Sequence, residues 1–460
     1  MTRSKTLSLL SVVLVGSFVL TGCGDDDDNN NNNNNTNNNV RTIDCVDGLA
    51  TLSGEYTQDI HLTADCNYLL EGGVFIGDDE NSYTLTIDAG VQIFGDTASK
   101  SMLVVRRGSR IDAQGTAESP IVFTSAADPG SRASGDWGGV ILNGRAVTNA
   151  CGGTPGSCEV QGEGDTGTYG GDDDTYNCGT LRYVRIEFAG KLISPENELN
   201  GLALQACGSQ TTLEYIQIHM GADDAIEFFG GTANFKYVLA TGTSDDNLDW
   251  TDGWRGKGQF FVAQQYDGIG DQGIEADNNG ESNDAEPRSF PTLSNLTLIG
   301  VPTGEKSDVG ILLREGTGAN IHNAIVLGFG EYCLDIDHDA TFANAVTTAN
   351  GTDLNGNLTI ENTIMHGCAA MYDLGDPAPD ADPFSVEEFF TTYNDGNSTD
   401  DPMLGAPYNT QSPDFVPGAG SPALTGGVTP SDSFFTSVTF RGGVDPANDW
   451  TTGWTTTATN

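Results

Sequence analysis

LRYVRIEFAG (residues 181–190) is repeated in the same frame as LEYIQIHMG (213–221) and FKYVLATG (235–242). In each stretch, apolar and polar residues alternate around a tyrosine that takes the same place: Tyr183, Tyr215 and Tyr237. Alternation at a period of two residues is typical of a β-strand, and a closing glycine is typical of the turn that follows it. The sequence therefore predicts short strands that recur along the chain.

A second group of segments carries an asparagine at a common place. LSNLTLIG (293–300), IHNAIVLG (321–328) and IENTIMHG (360–367) align on Asn295, Asn323 and Asn362. Intervals of 22 to 39 residues between equivalent positions fit the coils of a parallel β-helix better than propeller blades or a sandwich. Stacked coils would place the tyrosines ring on ring and align the asparagines in a hydrogen-bonded ladder.

The N-terminal half has the same period. YTLTIDAGVQIFG, SMLVVRRGSRIDAQGT and SPIVFTSA alternate apolar and polar residues between glycine turns. The apolar positions predicted to point into the coil are Leu85, Ile87, Val91, Ile93, Leu103, Val105, Ile111, Ile121 and Phe123.

The first residues have the features of an export signal. Arg3 and Lys5 precede an apolar run that ends in LTGC, and the cysteine of this lipobox is Cys23. This segment resembles the signal of bacterial lipoproteins, and the resemblance implies cleavage before Cys23, a lipid on that cysteine and an envelope location. The outer membrane is favoured because Gly24 is not the aspartate that retains enterobacterial lipoproteins in the inner membrane. The predicted organisation is a signal peptide (1–22), a disordered Asp/Asn tether (23–40), a parallel β-helix (41–376), and excursions, last coils and a C-terminal cap (377–460).

The composition limits the partners. The chain has 65 acidic and 19 basic residues, a net charge of −46, which repels nucleic acid. We expect such an acidic surface to attract cations, although a requirement for solubility alone also explains much of the charge. The expected partners are the membrane, through the lipid, and a polysaccharide, with no nucleic acid.

Eight cysteines remain after Cys23. An even number in an exported chain predicts four disulfides, and closeness in sequence favours Cys45 with Cys66 and Cys151 with Cys158. The others are Cys178, Cys207, Cys333 and Cys368.

Six segments together resemble one protein family. They are LTIDAGVQIFG, GTAESPIVFTSA, GDWGGVILNGRA, LRYVRIEFAG, DDAIEFFGGTANFKYV and DWTTGWT. They are similar to bacterial surface lipoproteins with a pectin-lyase-like β-helix, found among spirochaete outer-membrane lipoproteins and secreted proteins of Bacteroidetes. The resemblance implies an all-β, right-handed parallel β-helix, a solenoid with inserted loops and a C-terminal cap. It supplies no catalytic residue.

Acidic residues recur in register after the tyrosine segments. MGADDAIEF (220–228) aligns with GTSDDNLDW (242–250), which pairs Asp223 with Asp245, Asp224 with Asp246, and Glu227 with Asp249, and DQGIEADNN (271–279) places Glu275 next in this series. Like charges one coil apart, about 4.8 Å, repel by roughly 3 to 4 kcal/mol at an effective dielectric near 20. Protonation, an arginine or a metal has to offset that repulsion.

Three interpretations remain open from the sequence. Calcium can bridge oxygens of two coils, and the predicted ligands are Asp223, Asp224, Asp245 and Asp246, with Asp271 and Asp277 as outer candidates. The acids could instead only cap turns in a structural or adhesive surface protein. The third interpretation is catalysis.

For catalysis, two reactions fit the residue types. A polysaccharide lyase could use Arg255 or Lys257 as base, whereas a glycoside hydrolase could use paired carboxylates. The candidate carboxylates are Asp224 with Asp246, or Glu227 with Asp249. The known signatures of polygalacturonases are not matched as a set, which makes the hydrolase the weaker of the two. Between binding and catalysis, we favour binding.

Aromatic and imidazole groups lie near the acids in sequence. Trp250 and Trp254 could stack on a sugar face, or pack beneath a loop. His219 could act as ligand or base, or simply be hydrogen-bonded at a strand end.

Overall fold

The repeated segments form strands that wind into stacked coils with three parallel faces. The computed structural model describes residues 40–152, 158–193, 198–347, 353–374 and 382–460. The predicted signal peptide, Cys23 and nearly all of the tether lie outside these residues. No helix within the described ranges has the length and apolar character required to cross a membrane.

The strands, in chain order, are β1 (Arg41–Thr42), β2 (Leu49–Tyr56), β3 (Ile60–Leu62), β4 (Asn67–Ile76), β5 (Thr84–Ile87), β6 (Gln92–Gly95), β7 (Met102–Val105), β8 (Arg110–Gln114), β9 (Ile121–Ser125), β10 (Val140–Asn143), β11 (Val160–Gln161), β12 (Thr168–Tyr169), β13 (Gly179–Glu187), β14 (Leu202–Gln205), β15 (Thr212–His219), β16 (Ile226–Phe229), β17 (Asn234–Thr241), β18 (Leu248–Thr251), β19 (Lys257–Gln264), β20 (Glu275–Ala276), β21 (Thr292–Ile299), β22 (Val309–Leu313), β23 (Ala319–His322), β24 (Ile325–Leu327), β25 (Tyr332–Ile336), β26 (Leu358–Glu361), β27 (Ile364–His366), β28 (Ala370–Tyr372), β29 (Leu404–Ala406) and β30 (Asp414–Pro417). The helices are α1 (Asp339–Ala345), α2 (Val386–Glu388), a π-helix (Phe389–Tyr393) and 3₁₀ turns at Glu163–Asp165 and Pro422–Leu424.

Each face is a ladder of parallel strands from successive coils. The first face runs through β1, β3, β5, β8, the first halves of β13, β15, β17, β19 and β21, then β23 and β26. The second runs through the first halves of β2 and β4, then β6, β9, the second halves of β13 to β21, β24 and β27. The third runs through the second halves of β2 and β4, then β7, β10, β14, β16, β18, β20, β22, β25 and β28. The predicted all-β, right-handed parallel β-helix is confirmed.

The core fills the space between the three faces. All nine apolar residues predicted to point inward in the N-terminal half are at most 2% exposed. Alternate residues of each strand face this interior because a strand turns successive side chains to opposite sides.

The tyrosine and asparagine frames form one corner of the coil. At this corner, between the first and second faces, each residue has a positive φ of 48° to 64°: Tyr183, Tyr215, Tyr237, Phe260, Asn295, Asn323 and Asn362. Asparagine tolerates this left-handed conformation, whereas tyrosine adopts it at a cost. The stacking of Tyr215 on Tyr183 and Tyr237, with ring centroids 4.4 Å apart on both sides, offsets that cost.

The C-terminal segment lies along the side of the coils at this corner. Three side-chain amides each form a reciprocal pair of hydrogen bonds with its backbone: Gln217 with Thr456, Gln259 with Thr436, and Asn323 with Val428. Trp450 and Trp454 pack edge-on against the tyrosines. The asparagine amides thus bind the segment instead of one another, and the segment covers a side of the solenoid rather than an open end.

A short helical segment packs against the last coil. Ser385 caps α2, and the π-helix that follows buries Phe389 and Phe390, which are 0% and 1% exposed, in the main core. The side-chain amide of Asn397 also donates to the carbonyl of Ile360 in β26.

Four disulfides join consecutive cysteines within the described residues. Their number agrees with the prediction, and so do the two pairs that closeness in sequence favoured. They are Cys45–Cys66, Cys151–Cys158, Cys178–Cys207 and Cys333–Cys368.

Candidate metal centre

The turns between the second and third faces bring the repeated acids together in three successive coils. Each coil contributes two residues from the turn and one from the strand that follows. The rows are Asp223, Asp224 and Glu227; Asp245, Asp246 and Asp249; and Asp271, Gln272 and Glu275. We refer to these nine residues as the acidic grid. Glu227 lies opposite Asp249 in the parallel register, and Asp249 lies opposite Glu275.

Apolar residues close the grid at both ends. In the preceding coil Ala203 lies opposite Glu227, and in the following coil Leu312 lies opposite Glu275. The column of strand acids is therefore limited to three coils, which makes the grid a bounded site.

Carboxylate oxygens within the grid are close enough to share a cation. Four groups of three place one oxygen of each residue within 4.8 Å of the others: Asp223, Asp224 and Asp245; Asp224, Glu227 and Asp249; Asp245, Asp246 and Asp271; and Asp246, Asp249 and Glu275. Because calcium binds oxygens at about 2.3–2.6 Å, its ligands lie up to about 5 Å apart, which is the spacing seen here.

The middle column also caps turns. Asp224 Oδ1 accepts the backbone N–H of Asp246 at 3.0 Å, and Asp246 Oδ1 accepts the N–H of Gln272 at 2.6 Å. Each bond joins one coil to the next and uses one oxygen of the carboxylate. Turn capping and cation binding are therefore compatible, since the second oxygen of each residue is left for a ligand.

Asp249 has a buried oxygen without a partner. The residue is 8% exposed, and its Oδ1 accepts no hydrogen bond from any residue that the structure describes. Burial of a carboxylate is costly unless a hydrogen bond, an opposite charge or a metal compensates it. Since Asp249 belongs to two of the four oxygen groups, a cation in the grid would supply that compensation.

The acids of the grid resist ionisation in the absence of a cation. Burial, followed by the charges of neighbouring carboxylates, raises the pKa of four residues well above the usual range: Asp224, Glu227, Asp246 and Asp249. Burial also raises the pKa of Asp223, Asp271 and Glu275 to about 7. A bound cation would reverse these shifts by favouring the charged forms.

Residues of two inserted loops complete the pocket above the grid. Glu163, Glu198 and Asn200 line it, and the cavity volume is about 340 Å³. Asn200 Nδ2 donates to Glu227 Oε2 at 2.5 Å. Neither lysine nor arginine occurs among the described residues that line this pocket. At its edge, Arg314 binds Glu275 at 2.7 Å.

The structure brings together most of the predicted metal ligands, with one exception. Asp223, Asp224, Asp245, Asp246 and Asp271 all line the pocket. Asp277 does not, because Arg314 holds its carboxylate at 2.9 and 3.1 Å. Its assignment as an outer ligand stays a prediction, since Arg314 also binds Glu275, which does line the pocket.

The carboxylates considered for catalysis lie in the pocket, but the basic residues do not. Arg255 is held by both oxygens of Asp174 at 2.9 and 3.0 Å. Lys257 pairs with Asp432 at 2.5 Å. Because both cations are bound elsewhere, the prediction of either as a base beside the acids is wrong.

Trp250 and Trp254 are fully buried, each with an exposed fraction of 0%. Their indoles donate to Thr317 Oγ1 and to the carbonyl of Ala233, inside the coil. The prediction that they stack on a sugar is wrong, since neither ring reaches the surface.

His219 is hydrogen-bonded at a strand end and takes no part in the pocket. Its ring contacts Thr241 Oγ1 at 2.7 Å and the carbonyl of Ala458 at 2.9 Å. Burial lowers its pKa to about 4, so the ring is neutral at physiological pH.

The sequence pattern did not identify all pocket residues. Glu227 and Asp249 were considered only for catalysis, although their spacing from the turn aspartates repeats as D-D-x-x-E and D-D-x-x-D. The third row, D-Q-x-x-E, continues this pattern with Glu275. Glu163 and Glu198 come from inserted loops with no repeat, so no sequence signal pointed to them.

Comparison with known protein families identifies the family of the chain. A family described as "Pectate-lyase like beta helix domain" matches residues 54–409. No curated protein and no solved structure matches the chain.

Proposed function

The chain belongs to the pectate-lyase-like β-helix domain family, and from this premise we propose that it is a lipid-anchored cell-envelope protein that binds calcium at the acidic grid. The observation that carries the proposal is Asp249, whose buried Oδ1 has no partner beside carboxylates of the same and adjoining coils. A cation supplies the missing partner and removes the repulsion between coils.

The geometry favours calcium over magnesium. Calcium accepts six to eight oxygens in a flexible arrangement, and carboxylates that stack at about 4.8 Å provide them without distortion of the sheet. Magnesium demands shorter bonds in a regular octahedron and retains several waters. A grid of eight carboxylates therefore suits the larger ion.

The test is a calorimetric titration of chelator-treated protein with calcium chloride. We expect saturable binding in the wild type and at least a tenfold loss of affinity in Asp249→Asn. The matched control is Asp112→Asn, since Asp112 lies on β8, far from the grid in sequence, and its carboxylate accepts a hydrogen bond from the side chain of Gln114. The absence of binding in the wild type, or an equal loss in the control, would refute the proposal.

The anchor has its own test. We propose that Cys23 carries the lipid and holds the protein at the outer membrane. Metabolic labelling with a radioactive fatty acid should label the wild type, whereas Cys23→Ser should remain unlabelled and leave the membrane fraction.

Polysaccharide binding is a second candidate, which family membership favours. A cation in the grid could contact an acidic sugar while bound to the carboxylates. Calcium-dependent retardation on gels that contain uronic polymers, without an ultraviolet-absorbing product, would identify a binder. An unsaturated product would instead identify a lyase.

A further inference from the structure

The acidic grid contains two gaps, one between its first and second coils and one between its second and third. The four oxygen groups divide equally between these gaps. Asp224 and Glu227 contribute only to the first gap, and Asp246 and Glu275 only to the second. Asp249 contributes to both.

From this division we infer that the grid binds two calcium ions, one in each gap, with the carboxylate of Asp249 shared between them. The inference rests on the proposed function and extends it to the number of ions and the residues that serve each. Asp245 links the outer parts of the two gaps in the same way, since it also belongs to one oxygen group in each.

Distance excludes a single ion that serves the whole grid. Glu227 and Glu275 are two coils apart, about 9.6 Å from the spacing of strands. Two ligands of one calcium ion lie at most about 5 Å apart. An ion bound to Glu227 therefore leaves Glu275 without a metal, and the reverse is equally true.

Each gap has enough ligands for an ion of its own. Five carboxylates adjoin the first gap: Asp223, Asp224, Glu227, Asp245 and Asp249. Five adjoin the second: Asp245, Asp246, Asp249, Asp271 and Glu275. With some bidentate contacts or water, five carboxylates satisfy the six to eight oxygens that calcium requires.

The number of carboxylates in the grid also favours more than one divalent ion. Among the described residues, its only salt bridge to a basic side chain joins Arg314 to Glu275. A single calcium ion would leave most of the carboxylates uncompensated. The buried, unpartnered Oδ1 of Asp249 lies where the two gaps meet, in position to bridge both ions.

The experiment counts the calcium bound per folded protein in a matched set of variants. Equilibrium dialysis should give two ions for the wild type, one for Glu227→Gln and one for Glu275→Gln. Asp249→Asn should weaken both by at least tenfold. As a second measurement, terbium and europium bound together should show strong energy transfer in the wild type and none in the two single-gap variants.

The experiment distinguishes a failure of the two-ion inference from a failure of the proposed calcium binding. One ion in the wild type, or loss of all binding in Glu227→Gln, would overturn the two-ion inference while calcium binding stands. No ion in the wild type would overturn both. If Glu275→Gln fails to fold because Arg314 keeps only Asp277 as a partner, Asp271→Asn tests the second gap and leaves both contacts of Arg314 in place.

Discussion

Replacement of Asp249 by asparagine should have opposite effects on stability with and without calcium. In calcium-free protein at pH 8, the side chain faces Glu227 and Glu275 on neighbouring coils. Each pair, if both are charged, repels by about 3.5 kcal/mol at a dielectric near 20. Protonation of one partner limits this cost, so we expect Asp249→Asn to stabilise the calcium-free protein by about 1–3 kcal/mol.

In the presence of calcium, Asp249→Asn should destabilise the protein instead. An ion present at 100 times its dissociation constant stabilises the folded state by about 2.7 kcal/mol. Asp249→Asn weakens the ligand set of both gaps, so the variant should lose about that much for each ion that no longer binds.

The assay is urea unfolding of wild type and variant, in chelator and in millimolar calcium, with Asp112→Asn as control. The control should show the same small change in both conditions. A pure turn-capping role predicts that Asp249→Asn destabilises equally in both. That result would refute the reasoning, because it would mean that no repulsion is present for calcium to relieve.

Three further predictions concern other parts of the chain. Burial and the charges of neighbouring aspartates raise the pKa of Asp335 to about 7. The folded wild type therefore keeps a proton that the unfolded chain loses between about pH 4 and 7, so the stability of the wild type falls as the pH rises through that window. Thermal scans of Asp335→Asn should show a smaller fall, and an unchanged dependence of stability on pH would contradict the raised pKa of Asp335. Tyr215→Ala should destabilise by about 2–3 kcal/mol, and Tyr215→Asn by about 1 kcal/mol less, because asparagine tolerates the positive φ; equal losses in urea unfolding would contradict this argument. Trp450→Ala removes an indole that is 6% exposed and should speed hydrogen exchange across residues 428–458 while the coils remain protected, at a cost of about 3–5 kcal/mol; uniform loss of protection would show that the segment does not open independently.

The fold was predictable because a β-helix repeats one local rule in every coil. Alternation at a period of two residues identifies the strands, and recurrence of Tyr183, Tyr215 and Tyr237 identifies their stacking. That Asn295 occupies the same corner was not evident, since a tyrosine and an asparagine share no chemistry. They share a left-handed backbone, which appears only in the dihedral angles.

The site was predictable only where its residues repeat from coil to coil. The turn aspartates repeat in register, so the sequence alone brings Asp223 to Asp245 and Asp224 to Asp246. Whether a residue next to these aspartates lines the pocket or lies in the core depends on which side of the strand it faces. Asp249 and Trp250 are consecutive residues of one strand, so their side chains face opposite sides. The side chain of Asp249 points into the pocket, and that of Trp250 points into the core.

The same stacking that stabilises the tyrosine corner destabilises the acidic grid. Aromatic rings gain from contact with their copies in the next coil, but carboxylates repel theirs. A chain that needed only solubility would place its charges in solvent, where water and salt screen them. Here buried acids occupy three coils and end at Ala203 and Leu312. We propose that a bound cation accounts for a confined and costly cluster of this kind, because an ion between carboxylates turns the repulsion between coils into attraction.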